Sequence, residues 1–516
     1  MHPHAMPHLD HSGGNLRLIV DGAPFVILGA EVNNSSASDL QFMAPIWERL
    51  AGYHCNTALV PVSWELVEPA EGTRDFSLVD GLVSAAREHG LRLVLLWFGT
   101  WKNAVSQYVP AWVKTDIRRF PRAWDAEGKN MRTISPFSRE CQGADAAAFA
   151  ALLRHVKEVD GRYGTVIAVQ VENETGIHGP TRDFGPEANT AFLGPVPKDL
   201  LESLTARRGA RLDDFRARWE SAGGLLAGTW PQVFGDIASE VFMAWYVGRF
   251  LEAVCAAGKA EYALPMYTNA WLAYDAAPGT YPSGGPLARV HDVWRAAAPS
   301  IDILAPDIYH KDFKRACADF HWGGNPLFIP EANAAGAESN VFWAVAEHDA
   351  LCFSPFGFEC PHPWFPELGE DHPALREAYG FLAAMMPVIT RFQGTGRMRG
   401  ILQTADEKEV FTLGNYRLEI SWPRRAEDET GRGRGLVIDL GQDEYLIAGR
   451  GFSIRFLPPE GKGGTVDFLS LEEGSFQDGS WVPGRRLNGD DTFDFAVRIV
   501  HEKELCARKA KPYRYE

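Results

Sequence analysis

Over the first three quarters of the chain, short apolar runs alternate with longer amphipathic stretches. The clearest run is Val166-Ile-Ala-Val-Gln-Val171, which ends abruptly in Glu172-Asn173-Glu174 and a turn at Gly176. A β-branched run of this length reads as a strand buried on both faces, as in a parallel sheet. Runs of similar texture cover Phe25–Glu31, Asn56–Val62, Leu91–Phe98, Ala263–Thr268, Ile301–Ala305, Leu327–Glu331 and Ala350–Ser354. Apolar spacing between them predicts helices over Asp39–Ala51, Leu78–His89, Ala144–Tyr163, Ile237–Ala257 and Ala374–Thr390. Strands alternating with helices call for a parallel sheet. Eight strands, each followed by polar residues, fit an α/β fold of the (β/α)8 TIM-barrel type better than a doubly wound sheet. The barrel is assigned to 16–393, with an inserted excursion over about 178–236 that includes the amphipathic stretches Lys198–Arg208 and Arg211–Ser221.

Beyond Gln393 the texture changes to short alternating runs punctuated by Gly, Pro and Asp. Residues 394–516 therefore read as a small all-β domain, a sandwich expected to brace the barrel. At the other end, Leu16–Val20, Asp21-Gly22 and Phe25–Leu28 predict a hairpin with a tight turn. Residues 1–15 lack a basic segment followed by an apolar one and read as a disordered leader or a remnant of cloning.

Net charge is −16 over 516 residues, and no Lys/Arg cluster is large enough for a phosphate-binding face. Nucleic acid and anionic membrane are therefore not expected as partners, and no run approaches the length of a membrane span. The seven Cys are scattered and odd in number, which argues against a disulfide framework or zinc site and for free thiols, including Cys352 and Cys360. No metal or organic cofactor is expected. The compartment stays open: periplasmic or secreted if a signal peptide has been removed, otherwise cytoplasmic.

In a (β/α)8 barrel, chemistry sits at the C-terminal ends of the strands. Glu174 ends the fourth strand and Glu331 the seventh, three strands apart around the ring, so the two can face each other across a pocket. Such a pair suits glycoside hydrolysis, in which one carboxyl protonates the leaving oxygen and the other attacks the anomeric carbon or activates water. Asn173 can donate to a sugar hydroxyl. Tyr309, ending strand six, can hold the Glu331 carboxylate while Glu174 keeps a raised pKa as the acid. Glu172, two residues before Glu174, shares its side by strand periodicity and is the residue most easily confused with it. Glu31, Glu65 and Glu68 are hydroxyl ligands or rim ion pairs. Asn33, Trp64 and Asn269 lie in strand-end loops and join the substrate-binding candidates. Of the strand-end aromatics Trp97, Trp101, Trp271 and Trp364, one or two are expected to stack on sugar and the others to form wall. Glu359 binds hydroxyls or pairs with Arg, and His310 is a hydrogen-bonded loop residue.

The stretch Val169-Gln-Val-Glu-Asn-Glu-Thr-Gly176 resembles the acid/base signature of family 35 glycoside hydrolases, the β-galactosidases, in the wider clan of retaining barrel enzymes. Asp21-Gly-x-Pro24, Trp64-Glu-x-x-Glu-Pro-x-x-Gly72 with Asp75-Phe76, Phe242-Met-Ala-Trp245, Pro265-Met-Tyr-Thr-Asn269 and Glu444–Ala448 agree in order with a compact bacterial branch. The resemblance covers nearly 16–500 and implies Glu174 as acid/base and Glu331 as nucleophile of a retaining exo-β-galactosidase acting on an oligosaccharide or polysaccharide side chain. It departs from the commoner pattern at Gly29-Ala-Glu-Val-Asn-Asn34, where many members carry His-Tyr, and at Trp97-Phe-Gly-Thr-Trp-Lys102. Both loops would contact the nonreducing sugar, so another retaining β-glycosidase of the clan (arabinopyranosidase, fucosidase or mannan-acting) stays open. So does a non-catalytic carbohydrate-binding protein or an interaction scaffold, although the presence of both glutamates disfavours a retired site.

Overall fold

A computed structural model describes residues 5–12, 16–206, 213–274, 276–359, 371–425, 432–477, 479–489, 491–492, 496–499 and 504–516. Eight parallel strands close into a barrel: β1 (Ile27–Glu31), β2 (Thr57–Ser63), β3 (Arg92–Phe98), β4 (Val166–Val171), β5 (Met266–Trp271), β6 (Ile303–Ile308), β7 (Phe328–Ala332) and β8 (Cys352–Pro355). Each is followed by a barrel helix: α1 (Leu40–Gly52), α2 (Ser77–Glu88), α3 (Arg139–Asp160), α4 (Ala238–Glu261), α5 (His291–Ala297), α6 (Phe313–Phe320), α7 (Ala337–Glu347) and α8 (Pro373–Phe392). Neighbours in the ring are consecutive in sequence, and β8 closes on β1 through Cys352 against Ile27.

Strand periodicity sorts the side chains into two cores. Ile27, Leu59, Val94, Leu96, Phe98, Tyr267, Ile303, Phe328 and Cys352 fill the barrel interior together with Leu18 and Val20 of the N-terminal hairpin. These barrel residues come mainly from the early parts of the strands, so the hairpin closes the N-terminal end and leaves the C-terminal end for chemistry. Leu93, Leu95, Trp97, Val169 and Val171 point outward into the larger core beneath the helices. His8–Asp10, expected within a disordered leader, instead forms a strand that pairs with Arg17–Ile19. The helical stretch Trp230–Glu261 is long and apolar enough to cross a membrane by length and composition, contrary to the sequence expectation. Its apolar faces are largely buried, however, and α4 packs on α3 as a core helix.

The C-terminal region forms a six-stranded and a four-stranded antiparallel sheet around a shared core of Leu418, Ile420, Val437, Ile447, Ile454 and Val497. Met398, Leu436 and Ile438 join the barrel's outer core instead. Across that junction Arg399 forms a two-pronged bond to Glu347 at the end of α7, with both contacts at 2.8 Å. The fully buried Arg434 donates to Ser339 Oγ in the same helix. Strands Ser480–Arg486 and Cys506–Tyr515 were not expected. The latter alternates small and cationic residues around Pro512, so its buried side carries little apolar signal. Among the described residues, six cysteines are free thiols; Cys360 lies outside them.

Asp160 ties the end of α3 to the start of β4. Fully buried, it accepts from Arg87 Nη2 and from Val166 N, both at 2.7 Å. Asp160→Ala would leave the buried Val166 N–H without its acceptor and remove one partner of Arg87, which costs about 1–3 kcal/mol. A thermal melt followed by circular dichroism should show a clearly lowered midpoint; an unchanged midpoint would mean that the junction bears no load.

Candidate active site

β4 breaks where its chemistry begins. Glu172 (φ 60°) and Glu174 (φ 42°) both sit in the left-handed region, an unusual conformation for side chains of this size. The bend is held by its neighbours: Asn173 N donates to Trp101 O, Ala104 N to Glu174 O, and Glu174 N to Asn269 Oδ1 at 2.9 Å. Gly176 follows at φ 126°, where a Cβ would lie 2.5 Å from Ser283 O, so only glycine fits that turn.

Because Glu172 departs from extended backbone, the period-two argument that set it beside Glu174 does not hold. Its carboxyl turns to the loop after β3, accepting from Thr100 N and Trp101 N. There it hydrogen-bonds Asp145 of α3. Asp145 in turn accepts from Trp97 Nε1 at 2.8 Å, Thr100 N at 3.0 Å and Thr100 Oγ1 at 2.5 Å. Both acids are fully buried, and burial raises both. With three donors converging on Asp145, the shared proton rides on Glu172. This is an internal brace.

Glu174 and Glu331 meet in the barrel mouth with Asp307 between them. One carboxylate oxygen from each lies within 4.8 Å of the others. Asn173 Nδ2 donates to Glu331 Oε1 at 2.9 Å, and Asn269 Nδ2 donates to the same atom at 3.2 Å and to Asp307 Oδ2 at 2.7 Å. Tyr309 O–H donates to Glu331 Oε2 at 3.0 Å. Glu331 thus accepts from three side-chain donors at once. Glu174 differs. Burial, then the Glu331 charge, pushes its carboxyl up to about 7, partly offset by Lys102 and by a hydrogen bond with Asp307. Burial and the neighbouring carboxylates likewise hold Asp307 and Glu31 well above the usual carboxylate range. Glu31, at the end of β1, is fully buried, and neither of its oxygens has a hydrogen-bond partner among the described residues.

Lys102 supplies the positive charge. It is buried, and its Nζ donates to Asn173 Oδ1 at 3.0 Å. Burial alone would lower its pKa, but the charges of Glu331, Glu174, Glu31 and Asp307 outweigh this and raise it. Among the described residues, Glu174, Asp307 and Glu331 are the one acidic trio close enough to share a cation, and the Lys102 ammonium already serves that cluster.

The other candidates divide. Asn173, Asn269, Tyr309 and Glu31 come together with the two glutamates. Trp64, Trp97 and Trp101 do not: all three are fully buried in the outer core. Trp64 donates to Glu68, Trp97 donates to Asp145, and Trp101 packs on Phe250 of α4. Strand parity explains Trp97, an odd-numbered residue of β3 that faces the helices. Glu65 forms a rim ion pair with Lys114 at 2.6 Å. Asn33 is pinned through its backbone N–H by Glu359, which also accepts from Ser36 Oγ. Trp271 stays 42% exposed at the mouth beside His178. Trp364 lies outside the described residues. Sequence reasoning missed Asp307 and Lys102 as site residues. Asp307 had a readable signal, because it lies two residues before the inward Tyr309. Lys102 follows a loop turn and had none.

Residues 43–222 match the model of glycoside hydrolase family 42, described as β-galactosidase. Residues 375–497 match a domain of unknown function, DUF5597. The first match takes in β2 to β4 and Glu174; Glu331 lies beyond it. No curated protein matches. Similar solved structures include a β-galactosidase from the psychrophilic Marinomonas ef1, with 14% identity over 73% of this chain and 62% of that one at TM-score 0.46. A β-galactosidase from Bacillus circulans sp. alkalophilus gives 15% identity over 70% and 57% at TM-score 0.48. The exo-β-1,4-mannosidase Op5Man5 from Opitutaceae bacterium strain TAV5 gives 16% over 74% and 63% at TM-score 0.45. The chain spans about six tenths of the length of these proteins. The family 35 assignment is not supported: the matching family is 42, a related member of the same clan. Over residues 43–222 the barrel is similar in sequence to a β-galactosidase family of glycoside hydrolases, and its eight parallel strands close as a (β/α)8 barrel.

Proposed function

We propose that the protein is a retaining exo-acting β-galactosidase that hydrolyses terminal β-galactosyl residues of an oligosaccharide or polysaccharide side chain. The observation that carries the mechanism is the close approach of Glu174 and Glu331, with carboxylate oxygens within 4.8 Å. Retaining glycosidases hold their carboxyl groups about 5–5.5 Å apart, whereas inverting enzymes leave ~6.5–9.5 Å for a water. Glu331 attacks the anomeric carbon and the glycosidic C–O bond breaks as the Glu174 proton passes to the departing oxygen. Glu174, now ionised, takes a proton from water, which attacks the same carbon, frees Glu331 and releases the sugar with its β configuration kept. The unequal surroundings of the two carboxyls support these roles. Exo action is supported by the depth of the site, whose carboxyls are all nearly or fully buried. Galactose rests on the family match over 43–222. The C-terminal sandwich is assigned a bracing role through α7.

The test is proton NMR of the protein turning over a panel of aryl β-glycosides. Galactose appearing first as the β-anomer is expected. First appearance of the α-anomer overturns retention, turnover of a different glycoside moves the specificity, and no turnover across the panel overturns the enzyme.

Three glutamate variants separate the roles. Glu331→Gln should abolish turnover with the fold intact. Glu174→Ala should lose about 10²–10⁴-fold on poor leaving groups, less on activated aryl ones, and azide should restore turnover as the β-glycosyl azide. Glu172→Gln keeps a donor toward Asp145 and should retain most activity; a loss matching that of Glu174→Ala would exchange the two assignments.

Glu174 must be protonated to act as acid, and its carboxyl is held near about 7. The protonated fraction falls as pH rises through that value, so kcat/KM should decline on the alkaline side of about 7. A profile flat to pH 9 would remove Glu174 as the acid.

A further inference from the structure

We propose that Lys102 is a positioning residue for the glycosidase reaction, orienting the Asn173 amide so that its NH2 faces Glu331. The inference rests on the glycosidase reading above, and its argument is one of donors and acceptors. A lysine ammonium only donates, so the atom it meets at 3.0 Å must be the carbonyl oxygen of Asn173. That fixes which end of the amide points the other way: Nδ2, at 2.9 Å from Glu331 Oε1. Without Lys102 only the Glu331 contact would hold the amide in that sense, and Asn173 Oδ1 would lose the ammonium it meets, which loosens the donor offered to a sugar hydroxyl beside the scissile bond.

The position of Lys102 is itself built. Trp101 N and Thr100 N are held by Glu172, Trp101 O accepts from Asn173 N, and Lys102 N donates to Val105 O at 3.0 Å. The preceding loop is thus clamped to the same strand end that carries Glu174. The ammonium faces Glu31 of β1, Glu174 of β4, Asp307 of β6 and Glu331 of β7, with Tyr108 from the loop after β3 also in its field and the Phe98 ring at 5.0 Å. Its charge lowers the pKa values of Glu31, Glu174 and Asp307, so its removal should also make Glu174 harder to ionise.

The experiment compares wild type, Lys102→Met, Lys102→Gln, Asn173→Ala and the double variant Lys102→Met/Asn173→Ala on an aryl β-glycoside that the wild type hydrolyses. Near-ultraviolet circular dichroism serves as the folding check. Lys102→Met should reduce kcat/KM by about 10²-fold or more and move the alkaline limb upward by about one pH unit. Lys102→Gln, which keeps a donor for Asn173 Oδ1, should recover at least about fivefold of the loss. Adding Lys102→Met to Asn173→Ala should cost little more, because residues that act through one another are not additive. Additive losses, or no recovery in Lys102→Gln, overturn the orienting role. A Lys102→Met variant that does not fold leaves Lys102→Gln against Asn173→Ala to decide, with the Gln variant expected to be the more active of the two and the reverse order overturning the role. Carboxyl-carbon NMR of glutamate-labelled protein, assigned with Glu174→Gln, reads the Glu174 midpoint without any turnover. A midpoint that does not rise when the ammonium is removed overturns the electrostatic part even if no glycoside reacts, and absence of wild-type turnover is counted against the glycosidase reading alone.

Discussion

Four carboxyl groups and one ammonium share the top of a barrel that admits little water. Glu31, Glu174, Asp307 and Glu331 cannot all ionise there, because like charges at such range in a low dielectric are strongly opposed. Lys102 balances one negative charge. The hydrogen-bond donors are unequally shared: Asn173, Asn269 and Tyr309 all aim at Glu331. Burial and the neighbouring carboxylates raise Glu31 and Asp307 well above the usual range and push Glu174 up to about 7. A division of labour between two chemically identical side chains thus follows from the placement of donors.

Holding that distribution requires a stiff frame. The β4 strand end is bent through two left-handed glutamates, a conformation that persists because the β3 loop and Asn269 bind its backbone groups. Beneath it the Glu172–Asp145 pair anchors the same loop from the helix side. On the opposite wall, α7 follows the strand that carries Glu331. The C-terminal sandwich grips this helix through Arg399–Glu347 and the buried Arg434. The two catalytic candidates therefore sit on separately braced sectors of the ring, which suits a reaction sensitive to their spacing.

The barrel was legible because its signal is repetitive. Each strand is a short apolar run with polar residues at its end, and eight repeats leave one architecture. Glu174, Glu331, Asn173 and Tyr309 were legible for the same reason, lying at strand ends. What failed was the assumption that residues near strand ends share a direction. Trp97 lies one place out of phase with Phe98 and faces the helices. Trp64 opens a short helical turn, Trp64–Val67, directly after β2, and Trp101 lies in the loop after β3, so strand parity applies to neither. Glu172 obeyed parity in the sequence and lost it in the bend. The strand Cys506–Tyr515 escaped notice because cations and Pro512 replace the apolar members of its alternation.

Glu31 shows how the two kinds of reading combine. Parity along β1 sets it inward with Ile27 and Gly29, and burial leaves both its oxygens without a partner among the described residues. An unpartnered buried carboxyl is costly, by roughly 1–3 kcal/mol or more. On the proposed glycosidase reading, the same group is an acceptor and, when protonated, a donor for a sugar hydroxyl. On that reading such a carboxyl is suited to discriminate among hydroxyl-bearing ligands, because a ligand that leaves it unpaired bears that cost.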